Sequence, residues 1–490
     1  MAVGRPEPLF DWFIPIDGDG VHLGTLTAER PPTFAYLREV VQTSERLGFH
    51  ALLIPTRFVN GLFDEGAPLA ETWTMATALA AVTTRIRFLI AIRPGFIAAG
   101  LLAKMIATLD QISGGRVDIN IVPGGIQGDF ERLGVEIDHA GRYEQAEELM
   151  RACRALWTGE VVDFNGTSIH LHGARCSPPP LGTPRFYQGG ASPRAESLAA
   201  RHAEVYLMWI EPPEQVAARI ARVMAQAHAE GRQVTFGLRT HLVVRDDPEA
   251  AWAAAESLIA HADPRVVQQR QAVMMGTPMV GQQAQAVRVA QHRVGPHLWN
   301  GLSTVRVNCG TAIVGTPKQV VDELLAYWRL GIDEFILSGF PHVEECVRVS
   351  QEVLPRLRAC LLYTSDAAWA AAESLIAQAD PRVVQQRQAV MVGTPMVGQQ
   401  AQAVRVAQHR VGPHLWNGLS TVRVNCGTAI VGTPQQVVDE LLTYWRLGID
   451  EFILSGFPHV EECVRVSQEV LPRLRAAIVQ AEHSAEPAKK

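Results

Sequence analysis

Short apolar runs alternate with longer amphipathic stretches along the first 359 residues of the chain. Each short run predicts a buried β-strand, and each stretch predicts a helix with one apolar face. Gly48 follows the first helical stretch and is a typical helix terminator. Eight such strand–helix units are present, which is the number that closes a parallel barrel. The pattern therefore predicts an α/β fold, a (β/α)8 TIM barrel, with the strands FDWFIP, ALLIP, RFLIAI, VDINIV, RFYQG, VYLMWI, TFGLRTHLVV and EFILSG.

Two insertions interrupt this alternation. Residues 161–184 alternate around Asn165 and Gly166 and predict a β-hairpin followed by a Pro-rich loop. The segment Met275–Thr304 is rich in Gln and interrupted by Gly and Pro. A long segment of this kind inside a compact domain is typical of a functional loop, so it predicts a lid over the barrel mouth.

The chain also repeats its own C-terminal third. Ala250–Ala359 reappears as Ala367–Ala476 at a constant offset of 117 residues, and functional repeats normally differ more than these copies do. The junction, Cys360–Ala368, resembles the translated end of a transposon-derived adaptor used in sequencing libraries. We therefore interpret the repeat as a chimera. The four differences are His261 to Gln378, Met275 to Val392, Lys318 to Gln435 and Ala326 to Thr443.

The predicted organisation is a barrel over 1–359, a junction over 360–368, the duplicated third over 369–476 and a polar tail over 477–490. The duplicate contains the counterpart of the eighth strand but not of the seven before it, so it cannot close a sheet alone. Unless it displaces the first copy or swaps onto another chain, we expect Val437, Leu441 and Leu442 to be exposed to water.

Composition narrows the class of partner. The net charge of -6 comes from interspersed charges of both signs, which argues against nucleic acid or a membrane surface as partner. No apolar run approaches the roughly 18 residues that span a bilayer. The four cysteines of residues 1–359 form no CxxC pair and no metal-binding spacing, and the N-terminus shows no signal-peptide pattern. These features predict a cytoplasmic protein that binds a small molecule and no metal.

Ligands of such barrels bind at the carboxyl ends of the strands. After the fifth strand, Gly189 and Gly190 permit close backbone approach, and Ser192 followed by Pro193 predicts a helix start. Such a helix start can bind a phosphate, although an ordinary βα turn has the same pattern.

Two residues of the seventh strand, Arg239 and His241, project to the same face. A cation and an imidazole are costly to bury unless they have partners, so they indicate either a site or a satisfied structural pair. Arg306 follows the predicted lid and could bind an anion or lie in solvent. Asn120 ends the fourth strand and Trp209 ends the sixth, where each could wall a pocket.

Ten segments in order resemble the bacterial luciferase-like flavin monooxygenases, and most closely the FMNH2-dependent alkanesulfonate monooxygenases. The resemblance implies that a separate NAD(P)H-dependent reductase supplies reduced FMN, which binds in the barrel and reacts with O2 to convert a sulfonate into sulfite and an aldehyde. It also implies a homo-oligomer. The segments are GDGVHLGT, ALLIPT, AIRPG, ATLDQISGGRVDINIV, IDHAGRYEQAEE, GEVVDFNG, FYQGGAS, YLMWIEPPE, RTHLVVR and EFILSGFPHVEE.

The same resemblance assigns roles to individual residues. It places Arg239 and Arg306 on the sulfonate or peroxide charge, His241 in proton transfer and Trp209 at the site wall. The flavin contacts it implies are Asn120 and Tyr143, with Gly189, Gly190, Ala191 and Ser192 at the phosphate.

The chain departs from the sulfonate enzymes at several positions. Phe340 stands where they have Tyr, Asp17 where they have His, and Pro123 where a hydroxyl residue is usual. The segment around Arg57 resembles the related dimethylsulfone monooxygenases instead. We predict that Arg57 and Phe340 contact the substrate. The alternatives are a dimethylsulfone-type monooxygenase, a deazaflavin-dependent oxidoreductase and an inactive flavin-binding protein.

Overall fold

The computed structural model describes residues 7–124, 127–275, 292–306, 308–362, 365–377, 379–380, 382, 384–386, 409–412, 414–421 and 428–485. The chain forms two compact units, Glu7–Leu357 and the part from Arg358 onward.

Eight parallel strands close into a barrel in the first unit, as predicted. Each strand pairs with the next one, and the eighth pairs back with the first. All eight lie where the apolar runs placed them. They are β1 (Leu9–Phe13), β2 (Ala51–Ile54), β3 (Arg87–Ile92), β4 (Val117–Ile121), β5 (Phe186–Gly189), β6 (Val205–Trp209), β7 (Thr235–Val244) and β8 (Glu334–Ser338).

A helix follows each barrel strand along the chain, as in a (β/α)8 barrel. The helix α1 ends at Arg46, and Gly48 follows with a φ of 82°. The connecting helices are α1 (Phe34–Arg46), α2 (Thr72–Ala80), α3 (Ala99–Ser113), α4 (His139–Leu156), α5 (Pro193–His202), α6 (Pro213–Ala229), α7 (Pro317–Leu330) and α8 (His342–Arg348), with a short extra helix at Gln127–Arg132. None of the helices in the described ranges is both long and apolar enough to cross a bilayer.

The first insertion forms the predicted hairpin. Strands Val162–Asn165 and His170–Ala174 pair antiparallel, with Asn165 opposite His170. The turn is held by Glu148, whose carboxylate accepts hydrogen bonds from the backbone N–H groups of Thr167, Ser168 and Ile169. A helix of the barrel therefore fixes the hairpin in place.

The connection from β7 to β8 contains more helices and strands than the pattern predicted. It contains helices Pro248–Ile259 and Pro264–Met275, a strand Leu298–Trp299, a 3-10 turn Gly301–Thr304 and a strand Ala312–Gly315, followed by α7. The barrel helix α7 was not among the predicted helices, and the helix predicted after β7, Pro248–Ile259, packs instead near the 3-10 turn. Most of the predicted lid, residues 276–291, lies outside the described residues.

The helix after β8 also differs from the prediction of one continuous helix. It changes to a π-helix at Val349–Val353 and resumes as an α-helix at Leu354–Leu362. Apolar spacing does not distinguish a π-turn from an α-turn over so few residues, which is why the pattern missed it.

The barrel interior has an apolar layer above a layer of carboxylates. The apolar layer consists of Phe13, Leu53, Leu89, Tyr187, Val205, Leu207 and Ile336. Asp11 and Glu334 lie two residues before Phe13 and Ile336 and are also buried. The Tyr187 hydroxyl donates to Glu334 at 2.8 Å. Burial, and then the negative charge of Glu334, raise the pKa of Asp11 well above its ordinary value of 3.8.

The second unit does not repeat the barrel third as a fold. Residues 451–455 have the same sequence as β8, EFILS, but form no strand. Their side chains lose the burial of the barrel: Ile336 is 0 % exposed, whereas its counterpart Ile453 is 95 % exposed. The helices of this unit are Ser365–Ser374, Pro434–Arg446, His459–Arg465 and Leu471–Ala485, with a π-helix at Val466–Val470 and paired strands Leu415–Trp416 and Ala429–Ile430.

The expectation that Val437, Leu441 and Leu442 are exposed to water is wrong. Leu441 and Leu442 are buried with Val470 and Leu474, and Val437 packs against the same cluster. The helix Leu471–Ala485 covers this face. The large exposed apolar side chains of the unit are at other positions, among them Leu447, Ile453 and Val460.

Removing the second unit should leave the barrel intact. A protein ending at Ala359 keeps all eight barrel strands and their helices, so we expect its melting temperature to lie within about 3 °C of the full chain's. We also expect less binding of a dye that reports exposed apolar surface, and less light scattering, because the exposed side chains of Leu447, Ile453 and Val460 are then absent. Scanning calorimetry and light scattering test both points. A truncated protein that fails to fold would show that the barrel needs the duplicate.

Replacing Asp11 with Asn should flatten the pH dependence of stability. Because the pKa of Asp11 is raised in the folded state, the folded protein binds this proton more tightly than the unfolded chain does. The free energy of unfolding should therefore fall, by about 1.4 kcal/mol per pH unit, as pH rises from the unfolded pKa towards the folded one.

Urea unfolding at several pH values from 4 to neutrality, about 0.5 unit apart, measures this slope. Asp11→Asn should lack this decrease of the unfolding free energy with pH, whereas Asp246→Asn, at an exposed position, should keep it. Equal slopes in Asp11→Asn and the unmodified protein would contradict the assignment.

Candidate functional site

A cavity opens at the carboxyl ends of the barrel strands. It encloses about 860 Å³ when the space at its open mouth is counted. Its walls come from β2, β4, β5, β6 and β7, the loops after β4 and β5, and the helices α4 and α6. The lining residues are Leu53, Asn120, Val122, Gly124, His139, Tyr143, Gly189, Gly190, Ala191, Ser192, Leu207, Met208, Trp209, Glu211, Arg219 and Arg239.

The loop after β5 forms one wall and has the geometry of an anion cradle. Gly190 has a φ of 132°, and a Cβ at this position would lie 2.7 Å from the Cβ of Ala195. Ser192 caps α5, because its Oγ accepts a hydrogen bond from the Ala195 N–H at 3.2 Å. The positive end of the α5 dipole therefore meets the cavity beside a glycine that keeps the backbone accessible.

Two polar side chains face the same cavity. Asn120 is 7 % exposed, and its Oδ1 accepts no hydrogen bond from any described residue. Tyr143 on α4 accepts a hydrogen bond from Ser192 Oγ at 3.3 Å, which links the helix to the cradle. The Tyr206 hydroxyl donates to the carbonyl oxygen of Gly190 and fixes the loop from behind. A buried amide oxygen without a donor is a position where a ligand N–H group fits.

Two arginines lie over one phenyl ring at the carboxyl end of β1. The guanidinium carbon of Arg239 lies 3.9 Å from the centre of the Phe13 ring, and that of Arg306 lies 5.3 Å from it. Both side chains are buried, and in each the Nε and Nη2 atoms have no hydrogen-bond partner within the described part of the chain. Burial lowers the pKa of Arg239 to about 10, and it lowers the pKa of Arg306 well below its ordinary value. Such unpaired donors are suited to an oxyanion.

His241 lies on the same strand as Arg239 but does not line the cavity. Its Nδ1 is 2.8 Å from Ser338 Oγ, and its Nε2 is 2.9 Å from the carbonyl oxygen of Cys309. Because the carbonyl only accepts, Nε2 carries the proton and Nδ1 accepts from the Ser338 hydroxyl. Burial, and then the charges of Arg306 and Arg239, lower the pKa of His241 well below its ordinary 6.5. The ring is therefore neutral at neutral pH.

The two predicted aromatic residues have different positions. Trp209 lines the cavity at the end of β6. Phe340 is buried and stacks on His241, with ring centres 5.4 Å apart. It also makes an edge-on aromatic contact with His342, with ring centres 4.8 Å apart. Phe340 thus contacts the imidazole and not the cavity.

Arg57 lies on the loop after β2, and its partners were not predicted. Its side chain is 1 % exposed, and its Nε lies 3.6 Å from Asp17 Oδ2. None of its three nitrogens has a hydrogen-bond partner among the residues that the structure describes. Gly61 makes room for the guanidinium, because a Cβ there would lie 1.7 Å from Arg57 Nη1. The Gly61 N–H donates to Asp17 Oδ1 at 2.7 Å, which fixes the carboxylate beside the arginine.

Sequence reasoning also missed an ion pair in the cavity wall. Arg219 on α6 lies 2.8 Å from the carboxylate of Glu211, which follows β6. The signal was present, because Glu211 comes two residues after the predicted wall residue Trp209. In the described ranges, no group of three His, Cys, Asp or Glu side chains is close enough to hold a metal.

A cavity at the carboxyl ends of an eight-stranded parallel barrel is the position of the active site in enzymes of this fold. Residues 10–334 match the model of the luciferase-like monooxygenases. The chain therefore belongs to the luciferase-like monooxygenase family, as the ordered sequence segments predicted.

Solved structures share the fold at low sequence identity. A riboflavin lyase solved with modified FMN and riboflavin is 21% identical, with a TM-score of 0.62 over 72% of this chain and 92% of the other. EDTA monooxygenase from Chelativorans sp. BNC1 is 18% identical, with a TM-score of 0.59 over 72% and 94%. DmoA from Hyphomicrobium sulfonivorans is 21% identical, with a TM-score of 0.59 over 72% and 88%. These matches agree with the barrel.

Proposed function

We propose that this protein is an FMNH2-dependent monooxygenase that uses O2 to oxidise a small anionic organosulfur compound, converting an alkanesulfonate into an aldehyde and sulfite. The observation that carries the proposal is a pair of buried guanidiniums, those of Arg239 and Arg306, whose Nε and Nη2 atoms have no hydrogen-bond partner among the described residues. Arg239 lines the cavity, and the loop after β5, which would hold a phosphate, forms another of its walls. The balanced reaction takes sulfonate, O2 and FMNH2 to aldehyde, hydrogen sulfite, FMN and water.

The cavity residues fit FMN in two respects. The cradle of Gly189, Gly190, Ala191 and Ser192 at the start of α5 suits the phosphate. Asn120 Oδ1, which has no donor within the described ranges, suits an N–H group of the isoalloxazine ring. Tyr143, held by Ser192, would complete this wall. When bound, reduced FMN would supply the electrons that activate O2, and a separate NAD(P)H-dependent reductase would provide it.

The arginines would orient the substrate. A sulfonate has three oxygens, and each guanidinium can donate two parallel hydrogen bonds to such a group. Arg239 also lines the cavity and so would hold the substrate next to the cofactor. Trp209 would cover the apolar chain of the substrate and exclude water.

The proposed role of His241 in proton transfer involves Ser338. Since Nε2–H is committed to the Cys309 carbonyl, only Nδ1 can accept a proton, and its contact is the Ser338 hydroxyl. A proton would therefore reach His241 through Ser338 Oγ. Phe340 would keep the imidazole in this orientation by stacking on it.

Sulfite release tests the reaction. The full chain, with FMN, a flavin reductase, NADH and O2, should release sulfite from short alkanesulfonates. Arg306→Met should raise KM or lower kcat/KM by about 10- to 100-fold, because charge-assisted hydrogen bonds to the sulfonate are lost.

The matched control is Arg265→Met, which removes an exposed arginine that pairs with the nearby Asp263 and should leave turnover unchanged. Absence of sulfite from every sulfonate would refute the proposed reaction and leave the sulfone, deazaflavin and inactive alternatives. Normal turnover by Arg306→Met would refute the role of Arg306.

Gly190→Ala should weaken FMN binding. The added Cβ meets Ala195 at 2.7 Å, and a φ of 132° is strained for alanine, so the cradle must shift. We expect Kd for FMN to rise by at least about tenfold. Fluorescence titration measures this. Gly231→Ala is the control, because its φ of 65° is also positive but nothing lies within 4 Å of the added Cβ. An unchanged Kd would place the phosphate elsewhere.

A further inference from the structure

The charges around the arginines do not balance for a substrate with one anionic group. Three arginines, Arg57, Arg239 and Arg306, are buried, and we call them the arginine cluster because the charge of Arg57 acts on the other two. The guanidiniums of Arg239 and Arg306 lie over the same Phe13 ring, and Phe13 pairs with Leu53, four residues before Arg57. The charge of Arg57 contributes to lowering the pKa of both Arg239 and Arg306. The three cations are therefore close enough to repel one another.

The neighbouring arginines have partners of their own. Arg93 forms an ion pair with Asp129 at 2.6 Å. Arg270 donates to the backbone carbonyl oxygens of Asn60 and Phe63. Neither guanidinium is therefore expected to bind the same ligand as the cluster.

Asp17 is the one carboxylate that the described residues place in an ion pair with the cluster, at 3.6 Å from Arg57. It neutralises one of three positive charges, and its distance from Arg57 Nε is longer than a hydrogen bond. Burying unpaired charges is costly unless a ligand compensates them. One sulfonate would compensate one charge and would satisfy the donors of Arg239 and Arg306, which leaves the three nitrogens of Arg57 without an acceptor.

We propose that the substrate carries two anionic groups, a sulfonate held by Arg239 and Arg306 and a second anion, of carboxylate type, held by Arg57. Asp17 and Gly61 position Arg57 for this contact: the carboxylate lies beside the guanidinium, and the missing side chain of residue 61 leaves the guanidinium its space. The substrate class is thus a short sulfonated carboxylic acid. This inference rests on the proposed function and adds the chemical group at the end of the substrate opposite the sulfonate.

A matched pair of ligands tests the second anion. 3-Sulfopropanoate carries a sulfonate and a carboxylate, whereas 3-sulfopropanamide has nearly the same shape but one charge. Calorimetry with the full chain and oxidised FMN measures their binding without turnover. We expect the dianion to bind at least about tenfold more tightly than the amide, since charge-assisted hydrogen bonds to a buried arginine are among the stronger ones.

Variants at Arg57 assign the preference to this residue. Arg57→Met should remove most of the tenfold preference and leave binding of the amide nearly unchanged, and Arg57→Lys should restore part of it by returning the charge. Because Arg57→Met leaves Asp17 buried without its partner, the double variant Asp17→Asn with Arg57→Met serves as the second test if the single variant does not fold.

Three results would overturn the proposal. The first is equal affinity of the unmodified protein for both ligands. The second is an equal loss of affinity for both ligands in Arg57→Met. The third is a loss of affinity for reduced FMN in Arg57→Met while the preference for the dianion stays intact. The last result would mean that Arg57 compensates the charge of the reduced cofactor. Failure of the proposed function is distinct, because it would show as absence of sulfite from both compounds while the binding preference is still measured.

Discussion

The first unit depends on the hydrogen bonding of β8 to both β1 and β7, which joins the two ends of a sheet assembled from more than 320 residues of chain. This closure removes the free sheet edges, and its register also sets the site. Ser338 pairs with His241 in that register, which is why the Ser338 hydroxyl reaches the imidazole Nδ1. A shift of one residue would turn Arg239 and His241 away from the interior.

Closure also separates charges of opposite sign along the barrel axis. Strand β1 carries Asp11 near one end and Phe13 two residues later on the same face, and the Phe13 ring contacts Arg239. Asp11 and Glu334 therefore lie on one side of the apolar layer, and Arg239 lies on the other. The apolar layer separates these two carboxylates from the guanidinium of Arg239.

The sequence predicted the repeating elements well because each is encoded locally. Apolar runs located eight strands, and the Gly-Gly-Ala-Ser turn located the cradle from its own residues. It did not predict the Arg57–Asp17 pair, whose members come from loops after different strands and meet only when the barrel closes. It also did not predict that Phe340 stacks on His241, since strand spacing does not determine which neighbour covers an aromatic ring. Helix α7 was missed because the long insertion before it obscured the strand–helix alternation.

The two near-identical copies show which parts of this sequence fold by local interactions. In both, a tryptophan indole donates to a glutamate, Trp299 to Glu256 and Trp416 to Glu373, and the same short strand pair and 3-10 turn follow. The segment EFILS is a strand only where β1 and β7 flank it. The chain thus contains its own comparison of autonomous and context-dependent structure. The contacts of the tryptophan and its short strand pair form in both copies, whereas the EFILS segment is a strand only in the barrel.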